Sequence, residues 1–149
     1  MAQLLYNKKA TFNHEVIETY SAGIELLGFE VKSLKAGKGG SLEGSHIIIK
    51  GGEAYLVGAH IPPYQTGNTP AGYESRRPRK LLLSKKELIE LLDAEGTKGL
   101  TTIPLSLYSK GRYIKADIAI ARGKKKFDKR ETIKKRDTLR DVNREIKYR

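Results

Sequence analysis

Two runs near the C-terminal end of the chain alternate in polarity with a period of two. From Arg112 to Ala121 the even positions Ile114, Ala116, Ile118 and Ile120 are apolar, and Lys115 and Asp117 interleave with them. Thr101–Ser109 alternates likewise, with Ile103, Leu105 and Leu107 on one face. Such a period buries one side of a strand and wets the other. Lys110-Gly111 between the runs is a hairpin turn. Pro104 has no amide to give to a ladder, so its strand needs an edge or a bulge there. His46–Lys50 and Glu53–Ile61 flank Gly51-Gly52, a second hairpin. Val16–Leu27 is a further extended stretch, broken at Gly23.

Helical signals interrupt the strands. Ser84-Lys-Lys-Glu87 is a capping box, followed by Leu88, Ile89, Leu91 and Leu92 on one apolar face and by Gly96 as a stop. Glu30–Ala36 is a shorter helix, with Val31 and Leu34 on one side, Lys32 and Lys35 on the other, and Gly37 ending it. Pro62–Pro78 carries prolines and glycines without periodicity and reads as a loop, closing on Arg76, Arg77, Arg79 and Lys80. Five or six strands, short turns and one or two helices predict a mainly β (α+β) fold, a small Greek-key β-barrel.

Charge divides the chain. Lys plus Arg number 29 against 17 Asp plus Glu, a formal +12. Residues 122–149 hold 13 of these cations and 5 of the acids, a net +8, which leaves +4 for the other 121 residues. A nearly balanced body over 1–121 thus carries a basic tail over 122–149. Leu139, Val142 and Ile146 give the tail one thin helical stripe, so it is expected to be disordered alone and to fold on a charged partner. The excess charge points to a polyanion, RNA before an anionic membrane. No window approaches 18 apolar residues, so a cytoplasmic protein without a membrane partner is expected.

The residues that would mark catalysis do not assemble. His14, His46 and His60 lie in no metal spacing, and the chain has no cysteine. The glycines at 37, 39, 40 and 44 match neither a Walker loop nor a dinucleotide fingerprint, and read as a turn after a helix. No G-x-S-x-G occurs. No enzyme, cofactor or metal is expected. The positive signals are basic clusters at Asn7-Lys8-Lys9, Lys32/Lys35/Lys38, Arg76–Lys80 and Gly123–Lys126. Tyr6, Phe12, Tyr20, Tyr64 and Tyr73 are candidates to stack on unpaired bases.

Ordered strings add a resemblance. Asn7-Lys8-Lys9-Ala10, Glu18-Thr19-Tyr20 with Ala22-Gly23-Ile24, and Glu30-Val31-Lys32-Ser33-Leu34-Lys35-Ala36-Gly37-Lys38 resemble the small protein B family, the tmRNA-binding (SsrA-binding) proteins of bacteria. Gly52-Glu53-Ala54-Tyr55-Leu56, Arg79-Lys80-Leu81-Leu82-Leu83, Pro104-Leu105-x-Leu107-Tyr108, Ala121-Arg122-Gly123-Lys124-Lys125 and Asp128-Lys129-Arg130 continue it along the chain. The resemblance implies an oligonucleotide-binding (OB)-fold-like barrel with two or three flanking helices and a tail that becomes helical on the ribosome. It implies that the barrel grips the tRNA-like domain of tmRNA and that the complex rescues stalled 70S ribosomes by trans-translation. The tail would then read the empty mRNA channel and decoding centre, and alanyl-tmRNA would enter with elongation factor Tu.

Carried over residue by residue, the RNA face comprises Asn7, Lys8, Lys9, Ser21, Lys32, Lys35, Lys38, Arg79, Lys80 and Leu82. The ribosome-binding tail comprises Gly123, Lys124, Lys125, Asp128, Lys129, Arg130 and Ile146. The chain departs from the family at Ser21, where Glu is usual, and at Phe12, where a His falls in an ungapped alignment. The alternative reading is a basic structural RNA-binding protein of the ribosome itself, which composition alone fits equally well.

Overall fold

The computed structural model describes residues 2–65, 67 and 69–123. The tail residues Lys124, Lys125, Asp128, Lys129, Arg130 and Ile146 lie outside them. In chain order the elements begin with β1 (Ala2–Tyr6), α1 (Lys8–Asn13), β2 (His14–Ile24) and α2 (Gly28–Lys35). The hairpin β3 (His46–Lys50) and β4 (Glu53–Val57) follows, then β5 (Arg79–Leu82) and α3 (Lys85–Glu95). A long hairpin, β6 (Leu100–Lys110) and β7 (Tyr113–Gly123), ends the described fold.

All seven strands join one antiparallel sheet in the order β1-β6-β7-β2-β5-β4-β3. Strands β3, β4 and β5 form a meander, and β2 lies beside β5, so β2 to β5 have Greek-key order. The sheet curls until β3 packs against β6. Its edges β1 and β3 are not hydrogen-bonded to each other, so the expected barrel is an incompletely closed one. The concave side holds the main core, including Ala22, Leu56, Leu81, Leu107, Ala116 and Ile118.

Both hairpins form where expected. Gly51 and Gly52 have φ of 61° and 76°, the left-handed pair that a two-residue turn requires. The β6 register shifts between Pro104 and Ser106, the bulge that Pro104 calls for. That bulge corrects the expected single face for Ile103, Leu105 and Leu107. Leu107 enters the main core, whereas Ile103 and Leu105 turn to the convex side and pack with Ala10 and Ala121 under α1.

Other differences have local causes. β2 runs unbroken through Gly23, because a β-carbon there would meet Leu82 Cδ1 on β5 at 3.3 Å, so the missing side chain makes room for the neighbour. β4 ends at Val57, before the left-handed Gly58. In α3, Ser84 and Glu87 cap each other as expected, but only Leu88, Leu91 and Ala94 pack inward. Ile89 and Leu92 are each 53% exposed. β1, α1 and β5 are additional to the elements expected from patterning. Six residues of α1 make no readable stripe, and its start is set by tertiary contacts of Asn7.

Candidate nucleic-acid interface

Strand alternation divides the Arg-Lys-Leu-Leu run of β5. Arg79 and Leu81 point inward, and Lys80 and Leu82 point outward. Arg79 is fully buried and so is Glu30, its partner from α2. Glu30 Oε2 accepts from Arg79 Nη2 at 2.6 Å and from Nε at 2.9 Å. The remaining guanidinium donors go to the carbonyls of Ala59, Ser75 and Arg77 and to the Tyr73 hydroxyl. Arg77 also binds Glu30, and Tyr73 donates to it at 2.8 Å. Burial would raise the Glu30 pKa, but the hydrogen bonds from Arg77, the Leu27 amide and Arg79 outweigh it and hold the carboxyl below its ordinary range.

The expectation that Arg79 offers its charge to RNA is therefore corrected. Every donor of that guanidinium is spent inside, where it ties the 58–78 loop and β5 to α2. The rest of the Arg76–Lys80 cluster is engaged too. Arg76 donates to the Gly58 carbonyl at 2.8 Å, and Lys80 bridges Glu53 at 2.9 Å. The Glu53 contact raises the Lys80 pKa and lowers that of Glu53. This pair is solvent-accessible, so a phosphate can exchange with Glu53. Tyr73 packs edge-on to Phe29, 4.7 Å between centroids, and Tyr20 donates to Glu90 at 2.7 Å, so both rings serve the scaffold.

Asn7 is a second internal residue among those assigned to the RNA face. Its amide donates to the carbonyls of Pro104 at 3.0 Å and Leu42 at 3.3 Å, while its oxygen accepts from the Ala10 amide. It thereby starts α1 and fixes it to the bulge of β6 and to the 36–45 loop. That loop is pinned again at Ser41, which pairs with His60, and at Gly40, whose φ of 127° admits no ordinary side chain.

These anchors present exposed lysines from neighbouring elements. Lys8 and Lys9 lie on α1, Lys32 and Lys35 on α2, and Lys38 at the start of the following loop. Lys9 reaches Glu43 of the same loop at 2.7 Å in an exposed pair. Lys38 stands 5.5 Å from the centre of the Tyr64 ring. Among the described residues Lys8, Lys32 and Lys35 have no ion pair. Free ammonium groups at such positions neutralise phosphates and release counterions.

The outer face of the sheet beyond α1 is polar and open. Ser21 Oγ and the Tyr108 hydroxyl are 2.7 Å apart. Lys115 pairs with Gly23 on one side and Tyr108 on the other, and Leu82, 51% exposed, lies opposite Gly23. Ser21 itself faces Asp117 across the β2–β7 pair. Strand parity places Lys115 and Tyr108 with Ser21 and Leu82, a grouping that sequence motifs alone left out.

A family model described as SmpB protein matches residues 4–148. The chain belongs to the SmpB family. An SsrA-binding protein of Gloeothece citriformis (strain PCC 7424) is 45% identical over 141 residues, 95% of this chain and 90% of the relative. One of Mesoplasma florum is 48% identical over 142 residues, 95% of each chain. A chain in a solved structure described as "tmRNA-SmpB: a journey to the center of the bacterial ribosome" is 46% identical with a TM-score of 0.69. The match covers 84% of this chain and 87% of that one.

Within this SmpB fold the family strings divide into two physical classes. Glu30, Ser33 and Leu34 are buried residues of the Glu-Val-Lys-Ser-Leu string, whereas Lys32 and Lys35 are exposed. In Arg79-Lys80-Leu81-Leu82 the first and third residues build the interior and the second and fourth face outward. Gly123, assigned to the tail, ends β7 opposite His14, two residues beyond the expected boundary at 121. Among the described residues no helix is long and apolar enough to cross a membrane.

Proposed function

We propose that this chain binds the tRNA-like domain of tmRNA and delivers it to stalled ribosomes for trans-translation. The observation that carries the reading is near-full-length similarity to SsrA-binding proteins, on a fold whose unpaired lysines project from α1 and α2. Lys8, Lys32, Lys35 and Lys38 take phosphates. Lys80 joins them when Glu53 yields, and Leu82 offers an apolar contact beside the Ser21–Tyr108 pair. Asn7 and Arg79 are positioning residues that hold α1, α2 and the 58–78 loop in register. The segment after Gly123, with Lys124, Lys125, Asp128, Lys129, Arg130 and Ile146, reads the empty mRNA channel and decoding centre. Elongation factor Tu accompanies the aminoacylated RNA.

The test is a titration of the full chain against the tRNA-like domain at two salt concentrations, with ordinary tRNA as competitor. Tight binding that survives the competitor supports the reading. Weak binding, equal for both RNAs and lost in salt, leaves a generic polycation and defeats it. Lys35→Ala and Lys80→Ala are each expected to weaken binding and to lower the slope of log K against log salt by about one unit, as for one lost phosphate contact. Binding measured over a salt series checks this.

A further inference from the structure

The strand pairings place a row of side chains across the convex face: Ser21 on β2, Asp117 on β7, Ser106 on β6 and Tyr6 on β1. Directly opposed residues of antiparallel strands project on the same side, and the row spans three interstrand steps, about 14 Å. The Ser21–Tyr108 contact ties this row to the next, which contains Lys115. Tyr6 is 54% exposed at the row's end.

Asp117 is the anomaly in this row. It is half-buried in a chain of net charge +12, with Lys115 two residues away on the same face. Yet among the described residues it forms no ion pair, and its carboxylate accepts no hydrogen bond. On a face that meets a polyanion, an unengaged carboxylate repels the ligand. It contributes to binding only where the ligand brings donors to it.

A carboxylate is acceptor-only and offers two oxygens side by side. Phosphate is excluded by charge. Among the bases, the Watson–Crick edge of guanine presents two adjacent donors, N1–H and the N2 amine. Adenine and cytosine present one donor beside a ring nitrogen lone pair, and uracil presents one donor between two carbonyls. We infer that Asp117 is a specificity-determining residue that accepts from the Watson–Crick edge of an unpaired guanine laid on the convex face, with Tyr6, two strands away in the same row, as a stacking surface for a neighbouring base. The inference rests on the RNA-binding reading above and adds the base that this face selects.

Electrostatics and recognition predict opposite signs for one substitution, which makes the test direct. Removing a carboxylate from a cationic surface tightens binding to any polyanion, whereas removing a base acceptor loosens binding to the cognate RNA alone. Full-length wild type, Asp117→Ala and Asp117→Asn are titrated against the tRNA-like domain and against ordinary tRNA at one salt concentration. Asp117→Ala is expected to weaken the tRNA-like domain about tenfold, the scale of one bidentate base contact, and to bind ordinary tRNA as well as before or better.

Base identity is read with uridine dodecamers carrying one central guanosine or adenosine. Wild type is expected to prefer guanosine, and Asp117→Ala to show no preference. Unchanged or tighter binding of the tRNA-like domain by Asp117→Ala overturns the inference, as does equal weakening for both structured RNAs or the lack of a guanosine preference in wild type. A wild-type chain that does not distinguish the tRNA-like domain from ordinary tRNA defeats the functional reading itself, and the inference falls with it.

Discussion

Glu30→Ala is expected to cost about 3–5 kcal/mol of stability, because it leaves a buried guanidinium without its counter-charge. A domain of this kind has about 5–15 kcal/mol in total, so the variant sits near its unfolding threshold at 37 °C. Arg79 cannot escape to water. It is fully buried, and its other donors are held by the carbonyls of Ala59, Ser75 and Arg77. The same carboxylate holds Tyr73 and Arg77, so the loop above loses its anchor in the same step. Urea unfolding followed by circular dichroism checks the size of the loss, and a loss under about 1 kcal/mol would show that water replaces the carboxylate.

The depressed Glu30 pKa adds a pH signature to that measurement. A carboxyl whose folded pKa lies below its unfolded value contributes fully above the unfolded value, about 4.3, and loses that contribution as pH falls through the folded one. Wild type therefore loses this part of its stability in the acid range. Glu30→Gln lacks the carboxyl and loses the same pH dependence, at a lower starting stability.

Replacing Asp128 and Lys129 together by alanine is expected to reduce tagging of stalled chains to background while affinity for the tRNA-like domain stays within about twofold. The two substitutions remove one negative and one positive charge, so the net charge of +12 is unchanged and with it the long-range attraction to RNA. The RNA grip proposed here lies on α1, α2 and the convex sheet face, all within the body. In vitro tagging and direct RNA titration on the same preparations separate the two effects. Loss of RNA affinity in the double variant would make the tail part of the grip.

Arg79 reads as a surface cation in the sequence because its strand is short and carries no clear alternation. A run of five residues, Arg79-Lys80-Leu81-Leu82-Leu83, has charge at one end and leucines at the other, so its alternation is masked. The deciding contact, with Glu30, lies 49 residues away and is invisible to local patterning. Asn7 is hidden in the same way: it precedes two lysines and shares their polarity, but its partners are carbonyls at Leu42 and Pro104. The long hairpin at 100–123, by contrast, is specified by side chains within one segment and is legible except for the face switch that the bulge after Pro104 imposes on Ile103 and Leu105. The exposed lysines of α2 are legible too, because the helical period alone separates Lys32 and Lys35 from Leu34, although it does not mark Ser33 as buried. The Ser21–Asp117 juxtaposition needed the register of β2 against β7, which no one-dimensional pattern contains.

The position of β7 also shapes how this protein must come into being during synthesis. It is the last of the described strands to be made, yet it pairs along nearly its whole length with both β2 and β6. Until residue 123 has been added, the earlier strands cannot join into one sheet, and the edges of β2 and β6 stay open with their apolar faces uncovered. Pairings between such distant parts of a chain form slowly, since the intervening loop must be ordered before any contact rewards it. A nascent chain stopped short of β7 is therefore an aggregation hazard rather than a smaller working domain. Assembly of the RNA-facing surface waits on one of the last described segments to be translated.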